Sequence, residues 1–505
     1  MPRRPGGRAM RVAQRQAPPS LETRAVSPGM SGGRLKPLTE AQLETVFQSA
    51  LGLLEDLGMG QATPEFIDVV TAAGGWVDDR TRLRFPRSLV ESTIETACKE
   101  FTLHGFDSDS GIEIGGNRVH FATAGAAVLV PDELGGFRPS TTEDLYNFAR
   151  LADVLDHIHL FVRTVVTREL PDARAVDINT AFAAMLGTSK PIGTSLFAPE
   201  HVHDVVAMFD MALGGEGEFA KRPFCQANNT FVVPPMKFAE DSALAMAEQA
   251  RLGMPILLLS AGQAGATSPA RLAGSLTQAL AECLAALTCV NLIKPGHPCI
   301  MGLWPFVSDL RTGAMSGGSG EEAILNAAAA QLANYLGLPS GVAAGMSDSK
   351  LPDAQAGHEK GLTVSLAAQA GANVVYESAG MLASLMVCSP EMMVIDNDML
   401  GSVMRTVRGI EVDEASISAQ VIADVIEGEG HFLGHPQTLA VMQSEYLYPA
   451  MSDRSSPDDW KDAGATSVDD RARQFVATTL ADHHPDHVLA DRVARIRQHF
   501  PIADF

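Results

Sequence analysis

The chain has 505 residues, of which 46% are hydrophobic, and a formal net charge of −22 at pH 7. This length is enough for one large barrel with an additional layer, or for two or three domains. The negative charge argues against a nucleic-acid partner, whose phosphates it would repel, and it fits a cationic substrate or a basic partner surface.

The cysteines and the hydropathy pattern bear on the cellular compartment. The six cysteines are scattered, and none forms a CxxC pair, which is typical of free thiols in a reducing compartment. We find no apolar run that approaches the roughly 18 to 20 residues needed to span a bilayer. The Arg-rich N-terminus lacks the apolar stretch of a secretory signal. We therefore expect a cytoplasmic protein with no membrane association.

The N-terminal part of the chain predicts a tail followed by helices. Residues 1–36 are rich in Arg, Pro, Gly and Ser, and we expect a disordered basic tail. Apolar residues then recur at spacings of three and four along 38–57, which indicates a helix. Two more helices are expected before the pattern changes. Residues 37–118 therefore form the predicted N-terminal helical segment.

The central part of the chain alternates apolar runs with helical patterns, which indicates an α/β fold. Eight such runs favour a (β/α)8 TIM barrel at 119–410 over a doubly wound sheet, which shows the same alternation. A β-hairpin is an alternative for 119–139. The remaining residues, 411–505, are predicted to be a C-terminal helical extension packed on the barrel. The predicted strands are 121–130, 158–166, 191–197, 224–230, 255–260, 298–303, 340–346 and 372–378.

One stretch combines a strand, a polar loop and a helix start. The short apolar run 340–344 leads into a loop that contains Ser347 and Asp348, and Asp353 can cap the helix that follows. Loops at the carboxyl ends of parallel strands carry the chemistry of α/β proteins. The alternative is a well-capped turn with a solvated Lys350.

In a barrel, the residues that follow the strands face a common pocket. Aromatic rings beside acids suit a quaternary ammonium group, which is held by cation–π contacts and negative charge. The alternative is that some of these aromatic residues only pack. The set has no array of His or Cys for zinc or iron, so we expect no metal site. The candidates at the strand ends are Arg163, Phe197, Asn228, Asn229, Trp304, Phe306, Met346, Ser347, Asp348, Tyr376 and Glu377.

No GxGxxG follows a strand, so a Rossmann site for a nicotinamide or for S-adenosylmethionine is not expected. A series of other motifs extends along nearly the whole chain, from about residue 38 to residue 500. The longer motifs are Gly345–Lys360, Gly371–Asn373, Val394–Asp398, Arg408–Asp413 and Gly430–His435. The shorter motifs are Phe121–Gly125, Ala149–Asp153, Ala264–Thr267, Asp309–Gly313 and Gln331–Ala333. Together, and in this order, these motifs resemble the trimethylamine methyltransferase family.

The resemblance implies a TIM barrel that demethylates a methylamine and passes the methyl group to Co(I) of a separate corrinoid protein. The founding branch uses a pyrrolysine, whereas the loop aligned with it here, 345–350, has ordinary residues. Related members without pyrrolysine use quaternary amines such as glycine betaine. The chain lacks the DxHxxG motif of cobalamin modules, so the corrinoid is expected on a partner that docks at the barrel mouth. Barrels of this size often pair, and a homodimer is left open.

A quaternary nitrogen already carries its charge and can leave as a neutral amine, so the reaction needs no general acid. The enzyme has to hold the cation, bind any carboxylate and orient one methyl group. We predict catalytic roles for Asp348 and Glu377, while Arg163, an asparagine at 228–229 or His358 could bind a carboxylate. The alternatives are a barrel enzyme for another small methylated amine and a non-catalytic binder of betaine-type ligands.

Overall fold

The computed structural model describes residues 24–505 apart from 108, 109, 133 and 429. Its centre is a ring of eight parallel strands, β1 to β8 in chain order, and a helix, α1 to α8, follows each. The strands are Arg118–Thr123, Phe161–Val162, Ile192–Thr194, Cys225–Asn229, Ile256–Ser260, Cys299–Leu303, Ser340–Ala343 and Val374–Ala379. The helices are Thr142–Val154, Ala173–Gly187, Pro199–Leu213, Glu240–Leu252, Leu272–Ile293, Gly320–Tyr335, Ala354–Gln369 and Pro390–Arg408.

The sheet closes on itself. Parallel pairing follows chain order from β2 to β8, and β8 pairs with β1, for example at Val374 and His120. A parallel bridge between Ala122 and Leu160 joins β1 to the start of β2. Closure removes the exposed edges that an open sheet would have. The predicted (β/α)8 barrel is confirmed.

The strands and helices form where local chemistry favours them. Strands such as β5, with the sequence ILLLS, are buried throughout because helices cover their outer faces. Five of the eight barrel helices begin at a side-chain cap. One of these caps is Asp353, which accepts a hydrogen bond of 3.0 Å from the Ala356 amide, as its sequence position predicts. These loops between strand ends and capped helices surround the mouth of the barrel.

Helix α5 is the most apolar helix of the barrel. By length and composition, its 22 residues are apolar enough to cross a membrane. A stretch of 18 of them has a mean hydropathy of 1.6, and 83% of that stretch is buried inside the protein. The sequence analysis expected no apolar run of this length and so overlooked α5. Glu282 and Asn291 interrupt its apolar residues, and α5 is apolar enough to cross a membrane only in its mean hydropathy. In the fold α5 is a core helix, packed between the barrel and the N-terminal helices.

Residues 119–139 contain both structures that the sequence left open. The first half supplies β1, and Leu129–Pro131 then pairs with Phe137–Pro139 in an antiparallel hairpin. Val387–Cys388, in the loop after β8, joins the same small sheet and pairs with Met381–Leu382. A second small pair joins Gln263–Ala264 to Phe306–Val307. The loops after β1, β5, β6 and β8 are thus held by short strands of their own.

The predicted tail covers residues 1–36, of which 1–23 lie outside the described residues. Residues 24–36 differ from the expected disorder, because Met30–Ser31 pairs antiparallel with β1 and Val26 is buried. The cause is backbone pairing with a barrel strand, which composition does not reveal. Beyond them lie the helices Glu40–Asp56, Pro64–Ala72 and Arg87–Thr96 and the short strand pairs Trp76–Val77 with Leu83–Arg84 and Glu100–Leu103 with Ile112–Gly115.

The chain after α8 returns along the outside of the barrel. Asp398 of α8 accepts hydrogen bonds from three successive backbone amides, at 450–452. The guanidinium of Arg150 in α1 donates to the carbonyl oxygens of Leu480 and His483. These contacts fix the last helices against α1 and α8. The helices after α8 are Glu414–Ile417, Ala419–Glu427, Pro436–Glu445, Pro457–Asp462, Val468–Asp482 and Ala490–His499.

Candidate active site

Alternation along β4 carries two amide side chains into the barrel interior. A Cβ atom built on Gly193 of β3 would lie 3.3 Å from Asn228 Oδ1 and 3.4 Å from Gln226 Cγ, so both side chains lean over that glycine. Gln226 Nε2 donates to Asn228 Oδ1 over 2.8 Å. Its own Oε1 is buried without a hydrogen-bond partner. Because buried polar atoms are nearly always paired, this oxygen is available to a ligand.

Two aromatic rings lie beside these amides. Gln226 Nε2 also donates to the Tyr376 hydroxyl over 2.7 Å, which links β4 to β8 across the barrel. The Trp304 ring lies 5.6 Å from the Tyr376 ring, and its indole N–H donates to the Gly341 carbonyl over 3.2 Å. Phe306 extends the cluster, with its ring 6.0 Å from that of Trp304. Three of the predicted aromatic residues are thus brought together.

Glu377 sits at a break in the register of β8. Its φ of 62° is in the left-handed region, and the pairing with β1 shifts between 375 and 379. This bulge aims the carboxylate at the loop that follows β1, where its Oε2 accepts a hydrogen bond of 2.8 Å from the Gly125 amide. A Cβ on Gly125 would lie 2.8 Å from Glu377 Oε1 and 3.5 Å from Val162. The carboxyl group therefore lies between β1, β2 and β8.

The environment of Glu377 favours its neutral form. Burial raises the pKa of Glu377 to about 8, although the Gly125 hydrogen bond and the positive charge of Lys360 act in the opposite direction. A cation that entered the barrel beside this carboxyl would favour the charged form and lower its pKa again. A buried carboxyl with a perturbed pKa near the carboxyl end of a barrel strand is typical of a functional site.

Arg163 lies away from the aromatic cluster. Val162 faces the interior, so Arg163, one residue later, faces the helices, where it is buried near Asp177 of α2. Asp177 accepts hydrogen bonds from the Phe197 amide (2.8 Å) and from His201 Nδ1 (2.6 Å). Burial lowers the pKa of Arg163 and raises that of Asp177. The Phe197 ring itself is half exposed on the loop after β3.

Asp348 joins three loops at the mouth. Its carboxylate accepts hydrogen bonds from Ser384 Oγ (2.7 Å), the Gly317 amide (3.0 Å) and Ser316 Oγ (3.0 Å). These partners lie after β6 and β8, while Asp348 follows β7. With its oxygens engaged in this way, the carboxylate holds loops together.

The two residues before Asp348 are also held in the loop framework. Ser347 Oγ donates to Glu359 over 2.6 Å. Met346 is fully buried, and its Cβ would be 2.8 Å from a Cβ on Gly317.

Asn229 and His358 lie outside the aromatic cluster. Asn229 Nδ2 donates to the Ser242 carbonyl and to Gln249 Oε1, each over 2.9 Å, so the side chain faces α4 behind the sheet. His358 is exposed on α7, where Nδ1 is 3.0 Å from the Ala354 carbonyl of the same helix. Among the described residues, no three His, Cys, Asp or Glu side chains are grouped so that they could hold a metal ion.

A buried ion pair between α7 and α8 stabilises the loops that follow β7 and β8. Lys360 Nζ is 3.2 Å from Asp396 Oδ2, and both side chains are buried. Lys360 also donates to the Met381 carbonyl over 3.0 Å and to the Gly345 carbonyl, so it ties α7 and α8 to the ends of β7 and β8. Burial raises the pKa of Asp396 to about 6, while Lys360 opposes this shift.

The closed (β/α)8 barrel and its interior cluster define a barrel enzyme, and comparison with known proteins gives its class. The family model for trimethylamine methyltransferase (MTTB) matches residues 4–500. The chain therefore belongs to the trimethylamine methyltransferase family, and it is a methyltransferase.

Its relatives include proteins with two named substrates. A glycine betaine methyltransferase of Desulfitobacterium hafniense (strain Y51) is 32% identical over 84% of this chain and 88% of its own length. A trimethylamine methyltransferase MttB of Desulfitobacterium hafniense (strain DSM 10664 / DCB-2) is 31% identical over 93% of this chain and 94% of its own. The solved monomethylamine methyltransferase (MtmB) of Methanosarcina barkeri covers 86% of this chain and 87% of its own with a TM-score of 0.50. At 12% identity, this last likeness shows the fold alone.

Sequence reasoning missed Gln226, Gly193 and Gly125. A signal for Gln226 was present, because it precedes Asn228 by two residues and therefore lies on the same face of the strand. The two glycines gave no signal of their own, since their role is to leave room for the side chains of Asn228 and Glu377.

Proposed function

We propose that this chain transfers a methyl group from a quaternary amine, glycine betaine or similar, to Co(I) of a separate corrinoid protein. The observation that carries the proposal is the Trp304 and Tyr376 ring pair, 5.6 Å apart, with the buried carboxyl of Glu377 on the same strand as Tyr376. Aromatic faces beside a carboxyl group attract a cation that cannot itself donate a hydrogen bond. The resemblance to a glycine betaine methyltransferase supports the same substrate class.

The chemistry is a displacement at carbon. The bond between the methyl carbon and nitrogen breaks, and its electron pair stays on nitrogen, so a neutral tertiary amine leaves. When bound, the corrinoid supplies the nucleophile that receives the methyl group. No proton moves in this step.

The protein's own contribution is to hold and orient the donor. In this proposal the Trp304 and Tyr376 rings contact the ammonium group, and the unpaired Gln226 Oε1 receives its polarised N-methyl C–H groups. Asn228 is half-buried at the end of β4. Its side chain can contact the fourth substituent on the amine nitrogen, the one that is not a methyl group. Glu377 compensates the charge. Asp348 keeps the predicted place at the mouth as a residue that positions loops rather than one that contacts the amine.

The rim of the barrel fits a protein partner. Six of the eight loops that follow the strands each expose a large apolar side chain, for example Leu134 (97% exposed) and Leu310 (68%). Exposed apolar residues grouped around a polar site mark protein-binding surfaces. The rim residues are Leu134, Phe197, Val233, Leu310, Leu351 and Met386. In this proposal they contact the corrinoid protein, in the cytoplasm where the six free cysteines stay reduced.

The reaction is tested with a panel of amines. Purified protein, reduced corrinoid and either glycine betaine, choline, carnitine or trimethylamine are mixed, and the demethylated amine is measured by mass spectrometry. We expect at least one quaternary donor to be converted to its tertiary amine, and we expect no demethylated product from trimethylamine. If trimethylamine were demethylated and no quaternary amine were, the alternative of a barrel enzyme for another small methylated amine would be favoured. Absence of calorimetric binding for every quaternary amine would overturn the proposal.

The docking face has its own test. Leu310→Glu with Leu351→Glu places two charges on the rim, and we expect the KM for the corrinoid protein to rise about tenfold or more. Binding of the amine should not change. The matched control is Ile422→Glu with Ile426→Glu, two exposed apolar residues on the helix Ala419–Glu427. This helix follows the C-terminus of α8, at the end of the barrel opposite the mouth. Equal effects of both pairs would contradict docking at the mouth.

A further inference from the structure

Polar side chains follow one another across three neighbouring strands of the barrel interior. In the parallel register Gly193 of β3 pairs with Val162 of β2 and with Gln226 of β4. Side chains on one face of a strand are two residues apart, so the next interior positions toward the mouth are 164, 195 and 228. The residues at these positions, which we call the polar row, are Thr164, Ser195 and Asn228.

Thr164 is the member of the polar row that points to a ligand. Val162 faces the interior beside Gly193, and the pairing continues past β2, where the Arg163 amide donates to the Gly193 carbonyl over 2.9 Å. Thr164 is therefore on the interior face as well. It is fully buried, and its hydroxyl has no hydrogen-bond partner among the described residues. Because buried hydroxyls are nearly always paired, this one is available to a ligand.

The other two members of the polar row add hydrogen-bond donors. Asn228 Oδ1 accepts the hydrogen bond from Gln226 Nε2, which leaves the amide N–H groups of Asn228 for another acceptor. Ser195 directly follows β3 and, like Asn228, is half-buried. An ionised carboxylate only accepts hydrogen bonds and has about four sites for them. Two hydroxyls and one amide on adjacent strands match such a group.

We propose that the polar row is a carboxylate subsite and that the methyl donor is a betaine, with its carboxylate one carbon from the ammonium nitrogen. This inference rests on the proposed function, because it takes the ammonium group to lie at Trp304 and Tyr376. Gln226 Nε2 donates both to the Tyr376 hydroxyl and to Asn228, so one atom joins the aromatic ring to the polar row. A ligand with adjacent opposite charges can therefore contact both, which would orient its methyl groups.

The charges around the polar row favour a zwitterion over a separate anion. Arg163 precedes Thr164 but lies on the outer face of β2, buried near Asp177, so its charge does not face the row. Burial raises the pKa of Glu377 to about 8, so this carboxyl is largely neutral at pH 7 and repels a carboxylate little. Uncharged donors suffice for a carboxylate that has its own ammonium group beside it, since hydrogen bonds to ionised groups are the stronger kind.

Calorimetry with three ammonium ligands tests the subsite. Glycine betaine has the carboxylate, choline has a hydroxyl on its fourth substituent, and tetramethylammonium has neither. Thr164→Val keeps the shape of the side chain but removes the hydroxyl, and we expect the affinity for glycine betaine to fall about tenfold or more. The affinity for tetramethylammonium should not change. Thr164→Ser keeps the hydroxyl and should retain the affinity for glycine betaine.

Thr194→Val is the matched control. Thr194 follows Gly193 and therefore faces the helices, and its buried hydroxyl also has no partner among the described residues. This variant should bind all three ligands as the wild type does. Asn228→Asp is a second probe, because it exchanges a donor for a negatively charged acceptor. It should weaken binding of glycine betaine, while tetramethylammonium binds at least as tightly as before.

Three results with Thr164→Val would overturn the inference. An unchanged affinity for glycine betaine would place Thr164 outside the site. Equal losses for glycine betaine and tetramethylammonium would give Thr164 a structural role only. A loss for choline as large as that for glycine betaine would assign the polar row to a hydroxyl group. The proposed function survives each of these results, whereas a wild-type protein that bound none of the three ligands would refute both.

Discussion

The Gln226 amide donates to the Tyr376 hydroxyl over 2.7 Å and so connects β4 to β8 through the centre of the barrel. The same Nε2 donates to Asn228 Oδ1 over 2.8 Å. One side chain thus orients both an aromatic ring and a second amide. This is the arrangement expected of a residue that positions ligand contacts, since its hydrogen bonds fix neighbours that share the interior.

Replacement of Gln226 should therefore affect binding as well as stability. In Gln226→Met the volume is kept, but Tyr376 and Asn228 lose their donor, which costs about 1–3 kcal/mol of stability. We expect the KM for the amine to rise about tenfold or more, because the ring and amide lose their orientation. Asn326→Leu is the control, since Asn326 is equally buried and bonds the Ala343 carbonyl on the outer side of β7. It should lower stability without changing the KM.

The aromatic cluster predicts a preference for charge. In Trp304→Leu an apolar surface remains but the ring quadrupole is lost, so the affinity for a quaternary ammonium ion should fall by roughly 3- to 30-fold, or about 0.5–2 kcal/mol. The affinity for a neutral tert-butyl analogue of the same shape should change far less. Calorimetry with both ligands measures the difference. Equal losses for the two ligands would show that Trp304 contributes packing alone.

The framework of the barrel was predictable from the sequence because burial on both faces leaves an apolar run for every strand. Each of the eight predicted strand ranges contains or overlaps a strand of the ring. The cluster of Trp304, Phe306 and Tyr376 was also predictable, since these residues lie near the predicted carboxyl ends of two strands, at 303 and 378. For 119–139 the sequence could not decide between strand and hairpin, because the segment contains both.

The remaining features depend on contacts that no local pattern encodes. The turn of Glu377 toward Gly125 needs the bulge in β8, and the placement of Arg163 beside Asp177 depends on which face of β2 it occupies. Lys360 and Asp396 are 36 residues apart in sequence, and each looks like an ordinary helix-surface charge until the helices pack. The carboxylate-binding role considered for Arg163 and His358 gains no support from their positions.

The pKa of Glu377 predicts how binding depends on pH. Because the carboxyl is largely neutral below about pH 8 and a bound cation favours its ionised form, binding releases a proton. The affinity for a quaternary ammonium ion should therefore increase as the pH rises from 6 to 8.5 and then level off. In Glu377→Gln this dependence should disappear, with weaker binding at high pH. Glu282→Gln, at a buried carboxyl on α5 whose pKa is also raised, should keep the wild-type profile.

The same shift has a consequence for stability. The pKa of Glu377 in the folded protein is raised above its ordinary value of 4.5 to about 8. Its contribution to stability is thus fully present below pH 4.5 and is lost as the pH rises through 8. Relative to the wild type, Glu377→Gln should become progressively more stable between pH 5 and pH 8. Urea unfolding at several pH values measures this trend, and a constant difference would contradict the shift.

The ion pair of Lys360 and Asp396 predicts a non-additive pair of variants. Lys360→Met leaves Asp396 buried without its cation and should cost about 3–5 kcal/mol. Lys360→Met with Asp396→Asn removes the unpaired charge and should recover part of this loss. The folded-state pKa of Asp396, raised from 3.8 to about 6, should rise further in the single variant. The unfolding free energy of Lys360→Met should then decrease more steeply than that of the wild type as the pH rises from 6 to 8. Additive losses in the double variant would exclude a direct interaction.

Gly341 of β7 predicts the effect of one methyl group in the barrel interior. A Cβ at this position would lie 2.8 Å from the Tyr376 ring and 2.9 Å from Leu257 and Ile300, distances that force these side chains to move. We expect Gly341→Ala to lower stability by about 1–3 kcal/mol and to weaken binding of the amine, because the displaced ring is one of its contacts.

The matched control is Gly361→Ala in α7. A Cβ on Gly361 meets nothing within 4 Å, and alanine is favoured over glycine in a helix by about 1 kcal/mol. This variant should therefore be more stable than the wild type, with unchanged affinity. Thermal unfolding and calorimetry on both variants check the pair. If Gly341→Ala bound the amine as tightly as the wild type, Tyr376 would not be part of the binding site.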